Sequence, residues 1–394
     1  MSGTGIISDP WDLATALAYP AAVRPGDTFW LRAGTYTGEW LSYLGGTTNR
    51  PITIKPYQEP GQSPERVIID GHIWAKNSRV VFQGLEFTHS AQDGTNLAGL
   101  ETSGVSGKIS VINCIIHDAE GSGCGFWRNV QPGLFYGNLV YFNGRQDPGQ
   151  NHGLYTQNVA GVVKTIKDNI IWGNWGYGIH AYGSAYMDDF SIIGNTIFGN
   201  AANCFDFHIG GNAPFSNPTL TSNYIYGTSR VGYGSGNTVT NAKINGNYFV
   251  NPTGAGALTL TTCVPTEFGS NYFYGTRSGW TDGDYPTNTY GAGIPDAAFV
   301  RGNEYDVNRA NLTVYNGSSA NTIDVNVSAL FGQSGTVKAH NAQDYFSDIQ
   351  TLTITAGVIT VNMQAANRTV QTPVGVAAPA KSFPKFGAFI LVKQ

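Results

Sequence analysis

Charge is scarce in this chain. Only 12% of its 394 residues are Asp, Glu, Lys or Arg, and the net charge is −4. There is no run of Lys or Arg, so the basic footprint that nucleic acid requires is missing. No apolar stretch approaches the ~20 residues of a membrane-spanning helix. Cysteine is limited to Cys114, Cys124, Cys204 and Cys263, at spacings that fit no zinc motif. They are expected to be small buried residues, with a Cys114–Cys124 bridge as the lesser alternative. The segment Met1–Gly5 has no basic stretch followed by an apolar one, so no signal peptide is visible.

What is present is glycine, 51 residues of it, with abundant Asn, Thr and Tyr and a 41% hydrophobic fraction. Low charge with evenly spread apolar residues argues for a folded all-β chain with many tight turns, not for disorder. The strongest signal is a repeat. A short apolar strand ending in Asn recurs at Asn113, Asn138, Asn169, Asn195, Asn223, Asn247 and Asn271, at intervals of 24 to 31 residues. The longest interval holds the insertion Arg145–Gln150. Insertions in repeat proteins become loops, often on the binding face, so residues 144–151 are expected to wall a cleft. Asn tolerates left-handed backbone geometry, and its amide can bond to the same Asn one coil away. A column of Asn113, Asn138, Asn169 and Asn195 is therefore expected at the corners of stacked coils. The period is too long and too constant for a sandwich, and no helical pattern intervenes as a βαβ fold would need.

Near the N-terminus, Asp9-Pro10 opens a helical segment, about 10–18, with Asp9 read as its N-cap. That helix would cover the open end of the solenoid. Then follow Pro25-Gly26-Asp27-Thr28, Gly34-Thr35-Tyr36, Pro51-Ile52-Thr53-Ile54-Lys55, Val67-Ile68-Ile69-Asp70-Gly71 and Val80–Phe87. This order resembles the N-terminal coils of pectate-lyase-like β-helix proteins, most closely the chondroitinase B/alginate lyase group. The resemblance implies a right-handed parallel β-helix over residues 1–297. It covers the first quarter of the chain closely and the generic coil pattern to about residue 275. It leaves the reaction open, because these coils serve lyases, hydrolases, epimerases and phage tailspikes. The Lys and Arg catalytic pair of the alginate lyase group has no counterpart at matching positions, and the polygalacturonase motifs are missing. The Asp-Pro-His-Asp motif of mannuronan C5-epimerases is absent, with only Asp147-Pro148 and His152 as an echo. From residue 298 the texture changes to alternating strands such as Ile323–Val327 and Thr351–Ile354. Residues 298–394 read as a small antiparallel β-sandwich like those appended to carbohydrate-active enzymes. Its expected role is to cap the C-terminal end of the solenoid, with carbohydrate binding as the lesser alternative.

The coils also align at a second strand through Ile73, Leu100, Phe126, Leu154, Ile179 and Phe205. Side chains alternate along a strand, so the next residues point outward. They are Trp74, Glu101, Trp127, Tyr155, His180 and Asp206, followed two positions on by Lys76, Ser103, Asn129, Gln157, Tyr182 and His208. A solvated face would carry Thr, Ser and Lys instead. Aromatic rings stack on sugars, and a groove many coils long suits a polymer. Stacked aromatics that only stabilise the sheet are the alternative.

The candidate catalytic residues are His180, Asp206, His208, Tyr182 and Tyr155. Candidate substrate contacts are Trp127, Arg128, Asn129, His152, Gln157 and Glu101. β-Elimination from a uronate needs a base, an acid and something to neutralise the carboxylate. His180 or His208 would be the base and Tyr155 or Tyr182 the acid. Arg128 would neutralise the carboxylate, or a Ca²⁺ ion held by Asp147 and Asp188-Asp189; zinc is not expected. Hydrolysis would need a second carboxyl beside Asp206. A polysaccharide lyase is thus the expected activity, with a hydrolase or a tailspike-like glycan binder as alternatives. The chain is expected to be a monomer that meets polysaccharide outside the cell, either with a leader trimmed or as a phage-borne protein.

Overall fold

Each repeat contributes three short strands separated by turns, and the strands of successive repeats pair in parallel. The computed structural model describes residues 3–201 and 203–394. Its three parallel ladders run the length of the solenoid. The first holds ten strands, from Thr28–Leu31 to Glu267–Gly269. The second and third are joined at the N-terminal end, where Gly34–Ser42 and Val67–Ala75 are long enough to serve both. The second ladder then runs to Thr289–Tyr290 and the third to Thr276–Ser278.

Inward residues meet in register. Phe82, Val111, Phe135, Ile166 and Ile192 form a continuous column inside the first ladder. Ile116, Val140, Ile171 and Ile197 do so inside the second. All are essentially fully buried. Burying each such side chain contributes about 1.5–3 kcal/mol, and the sum along the columns holds the coils together.

The corner between the first two ladders carries the asparagine ladder. Nδ2 of Asn138 donates to Oδ1 of Asn169 at 3.0 Å, Asn169 to Asn195 at 2.8 Å, and Asn195 to Asn223 at 3.0 Å. The chain of bonds continues through Asn247 and Asn271 to Asn288. Asn113 is not part of it. Cys114 stands in the ladder position, its N–H donating to Asn138 Oδ1 at 2.8 Å. Asn113 occupies the preceding place, where Gly137, Asp168 and Gly194 also take left-handed backbone angles. Asn serves either place, which is why the sequence pattern alone shifts it by one.

The N-terminal helix is shorter than expected, Leu13–Leu17, and its N-cap is Asp12, whose Oδ1 accepts from the Thr15 N–H at 2.7 Å. Asp9 instead closes a turn through its carbonyl, which accepts from the N–H groups of Thr4 and Gly5. Trp11, Leu13 and Leu17 pack on the first coils. At the other end Trp280, Tyr285 and Tyr290 cover Phe268 and Phe273.

The C-terminal unit starts at Asp296, just before the boundary expected at 298, and is one antiparallel sheet of seven strands around its own apolar core. It does not cap the end of the solenoid. It lies along its side, where Tyr315, Phe386, Ala388 and Ile390 join Tyr141, Trp172, Phe198 and Tyr224 of the second ladder in one cluster. That ladder is therefore buried on both faces, and its strands read as unbroken apolar triplets such as Ile170–Trp172. The four cysteines are free, and Cys114, Cys124 and Cys263 are buried.

Candidate functional site

With the second ladder covered, the outer surface of the third ladder remains open. In register its outward column is Trp74, Glu101, Gly125, Tyr155, His180, His208 and Arg230. Two coils therefore differ from the sequence alignment. Cys124, not Phe126, pairs with Leu100 and Leu154, and Phe207, not Phe205, pairs with Ile179. Both slips are of two residues, so in–out parity survives. Trp127 and His208 still point outward, but Asp206 falls in the turn before its strand.

Asp206 consequently leaves the site. It is buried where two ladders meet, and there it ends a second asparagine ladder. Asn143 donates to Asn174 at 3.0 Å, Asn174 to Asn200 at 2.9 Å, and Asn200 to Asp206 Oδ1 at 2.9 Å. The next coil turns at Gly227-Thr228 and supplies no asparagine, so the Asp206 carboxylate closes the series and accepts the Thr228 N–H at 2.9 Å. A Cβ on Gly227 would lie 1.8 Å from Asp206 Oδ2, so only glycine allows this approach. Burial raises the Asp206 carboxyl above its ordinary value, opposed by its bonds to Asn200 and Thr228.

A groove of about 470 Å³ lies on the third ladder, lined by Glu101, Trp127, His152, Tyr155, His180 and Tyr182, with Tyr177 and Tyr233 from loops. Gly149, Gln150 and Asn151 of the 144–151 insertion wall one side. Asn151 Nδ2 donates to Asn96 Oδ1 at 2.6 Å and ties the insertion to the loop of residues 92–98. Tyr177 and Tyr233 were not singled out from the sequence, because both sit in glycine-flanked loops with no fixed place in the repeat.

At one end of the groove a Cβ on Gly125 would fall 2.5 Å from Glu101 Oε2 and 3.0 Å from Trp127 Nε1. Glycine here makes the hollow that the carboxyl and the indole share. Burial raises the Glu101 carboxyl, opposed by the Ser103 N–H, which donates to it at 2.6 Å. The Trp127 ring meets Tyr155 edge-on at 5.1 Å. The Tyr155 hydroxyl donates to the Tyr182 carbonyl and accepts from Gln157 Nε2, both at 3.1 Å. Burial raises this phenol, so it stays protonated.

At the centre the three histidines come together. His180 stacks on Tyr177 at 4.1 Å and on His208 at 5.1 Å. Its Nδ1 lies 2.7 Å from His152 Nε2. His208 is wholly buried beneath Tyr177, Phe205 and Tyr233, and neither ring nitrogen has a side-chain hydrogen-bond partner among the described residues. Burial holds all three imidazoles neutral, pushing His152 down to about 3 and His208 to about 4, with His180 lower still.

Arg128 and Asn129 are exposed in the turn beyond the groove, and Arg128 stacks on Tyr186 at 4.3 Å. Neither they nor any other Lys or Arg line the groove among the described residues. The proposed calcium ligands do not converge: Asp147 is exposed, Asp188 accepts from Ser216, and Asp189 accepts from Gly161 and Asn217. His89, Asp93 and Glu120 do bring potential ligand atoms within 4.8 Å of one another. Glu120, however, already accepts the Gly94 N–H at 2.8 Å and so anchors the 92–98 loop.

Residues 67–213 match the family model of the right handed beta helix region. The solenoid is a right-handed parallel β-helix. No curated relative matches the chain by sequence. Among solved structures, this β-helix is similar to the pectate lyase Pel9A, at 14% identity and a TM-score of 0.42, over 73% of this chain and 78% of that one. It is similar to an alginate lyase from Paenibacillus sp. at 15% identity and a TM-score of 0.34, over 71% and 96%. It is also similar to the Dettilon tailspike protein at 12% identity and a TM-score of 0.29, over 92% and 86%.

Proposed function

We propose that the groove on the third ladder binds a uronate-containing polysaccharide and cleaves it by β-elimination. The observation that carries this reading is the lining itself. Among the described residues, aromatic faces at Trp127, Tyr155, Tyr177, Tyr182 and Tyr233 line a groove that holds a single carboxyl, Glu101. The aromatic faces suit sugar rings. One carboxyl cannot supply the pair that glycoside hydrolysis ordinarily uses, and Asp206 is turned away from it.

A carboxyl whose pKa burial raises is a stronger base once ionised, and so a fitting one for a carbon-bound proton. In this reading Glu101 takes the C5 proton, and the Tyr155 phenol, its O–H turned from the Tyr182 carbonyl, donates to the departing glycosidic oxygen. Elimination leaves a double bond between C4 and C5 and a free hydroxyl on the leaving sugar. With no cation in the lining, the uronate carboxylate is held by neutral donors. Asn96, Gln150 and Asn151 stand at the wall for that purpose, and His180 at the floor.

The test is incubation with a panel of polysaccharides, recording both ultraviolet absorbance of an unsaturated product and new reducing ends. Both signals are expected together on at least one uronate polymer. Reducing ends alone would mean hydrolysis and would reject the mechanism. Binding without either signal would make the groove a recognition surface.

A further inference from the structure

His152 is almost completely buried, in the turn that precedes its strand, and it touches two fixed partners. The Tyr177 backbone N–H donates to its Nδ1 at 3.2 Å. A backbone N–H can only donate, so Nδ1 of His152 carries no proton. A neutral imidazole keeps one proton, and in His152 it must then be on Nε2. That nitrogen lies 2.7 Å from Nδ1 of His180. His180 therefore accepts at Nδ1 and carries its own proton on Nε2. The reverse arrangement would require His152 to have lost both protons. Nε2 of His180 has no protein partner among the described residues, and His180 lines the groove floor.

We infer that His180 is a permanent hydrogen-bond donor to an acceptor oxygen of the bound glycan, not a proton-accepting base, and that His152 is the positioning residue that fixes it so. The tautomer follows from the geometry alone; only the identity of the glycan oxygen rests on the function proposed above. The titratable groups packed around His180 are His152, His208, Tyr155, Tyr177 and Tyr182. None is an anion that would favour an imidazolium, and burial opposes one as well. The sequence-based role of His180 as base is thereby replaced. A uronate carboxylate, or the enolate that it becomes as the C5 proton leaves, is the kind of acceptor that such a donor serves.

The experiment is ¹⁵N-histidine NMR of the full chain without ligand, following tautomer and titration from about pH 5 to about pH 8. His180 is expected to hold the Nε2–H form throughout, with no titration. In His152→Gln the side-chain amide can still accept from Tyr177 and donate to His180, so the Nε2–H form should persist. In His152→Leu the lock is gone, and His180 should populate both tautomers. An Nδ1–H form of His180 in the wild type, or a midpoint near ~6.5, would overturn the assignment. An unchanged tautomer in a folded His152→Leu would remove His152 from it; if that variant does not fold, the wild type and His152→Gln still decide. Failure of every polysaccharide to react would reject the elimination reading and leave this tautomer standing, so the two fail separately.

Discussion

Glu101 and Trp127 share the hollow above Gly125, yet they carry different burdens. If Glu101 removes the C5 proton it must be ionised. Because burial raises its pKa, activity should rise with pH through that raised value and then level. Glu101→Gln should cost at least ~10²-fold in kcat at the plateau, read from initial rates of ultraviolet absorbance. Trp127→Ala should instead raise KM with little change in kcat, because a stacking face acts on bound substrate and transition state alike. Equal losses in kcat for the two variants would place both in the chemical step and reject this division. Much of this surface could be read from outward parity, which two-residue slips preserve. Tyr155, His180 and Tyr182 needed no correction of place. Asp206 could not be assigned in that way. Whether an outward-parity residue at a strand's start faces solvent or fills a corner depends on the neighbouring coil, and Gly227 in the next turn decides it. Tautomers are less legible still, since they depend on one backbone N–H at Tyr177.

Strands of three or four residues gain little from their own hydrogen bonds, so the corners must hold the coils in register. Asn195 shows how. Its Nδ2 donates to Asn223 Oδ1 at 3.0 Å and to the Ile166 carbonyl at 2.9 Å, while its Oδ1 accepts from the N–H and the amide of Asn169. It is fully buried. Asn195→Ala would strand donors and acceptors on the two neighbouring coils, and it should destabilise the fold by about 2–4 kcal/mol in urea unfolding. A loss below about 0.5 kcal/mol would mean that the ladder is a consequence of coil packing and not a cause of register. The repeat was legible because this ladder constrains one residue type at one corner of each coil from Asn138 to Asn288. The third ladder has no such invariant residue. Its turns vary in length, from the 144–151 insertion to the two residues Gly227-Thr228, and that is where the alignment slipped.

At the scale of the whole molecule, the docked C-terminal sheet is tied to the solenoid by a charged network that is buried at Glu86, His117 and Asp118. His117 Nδ1 lies 2.8 Å from Asp118 Oδ2, and its Nε2 lies 3.1 Å from Glu86 Oε1. Arg66 donates to both oxygens of Glu86 and lies over the Phe346 ring at 3.9 Å. Asp118 Oδ1 accepts the Val374 N–H at 2.9 Å, and Tyr141, stacked on His117, hydrogen-bonds to Gln371. Phe346, Gln371 and Val374 all belong to the C-terminal unit. Its sideways seat is visible in the sequence only as outward aromatics such as Tyr141 and Trp172, in strands with no polar face. Burial disfavours the charged His117, but its bonds to Asp118 and Glu86 outweigh that and raise its pKa. Glu86 is likewise opposed by burial, yet His117 and Arg66 hold it below its ordinary value. A histidine with a raised folded pKa stabilises fully below its unfolded value, ~6.5, and that stability is lost as pH rises through the folded pKa. A depressed carboxyl stabilises above its unfolded value, and that stability is lost as pH falls through the folded one. Unfolding free energy should therefore be greatest between these two ranges. On the alkaline side, above ~6.5, it should fall by at most about 1.4 kcal/mol per pH unit for this one proton. His117→Gln should lower the maximum and flatten the alkaline limb, as Tm measured across pH would report. If the limb persists unchanged in His117→Gln, another group carries it, and the network is not what couples the docked sheet to pH.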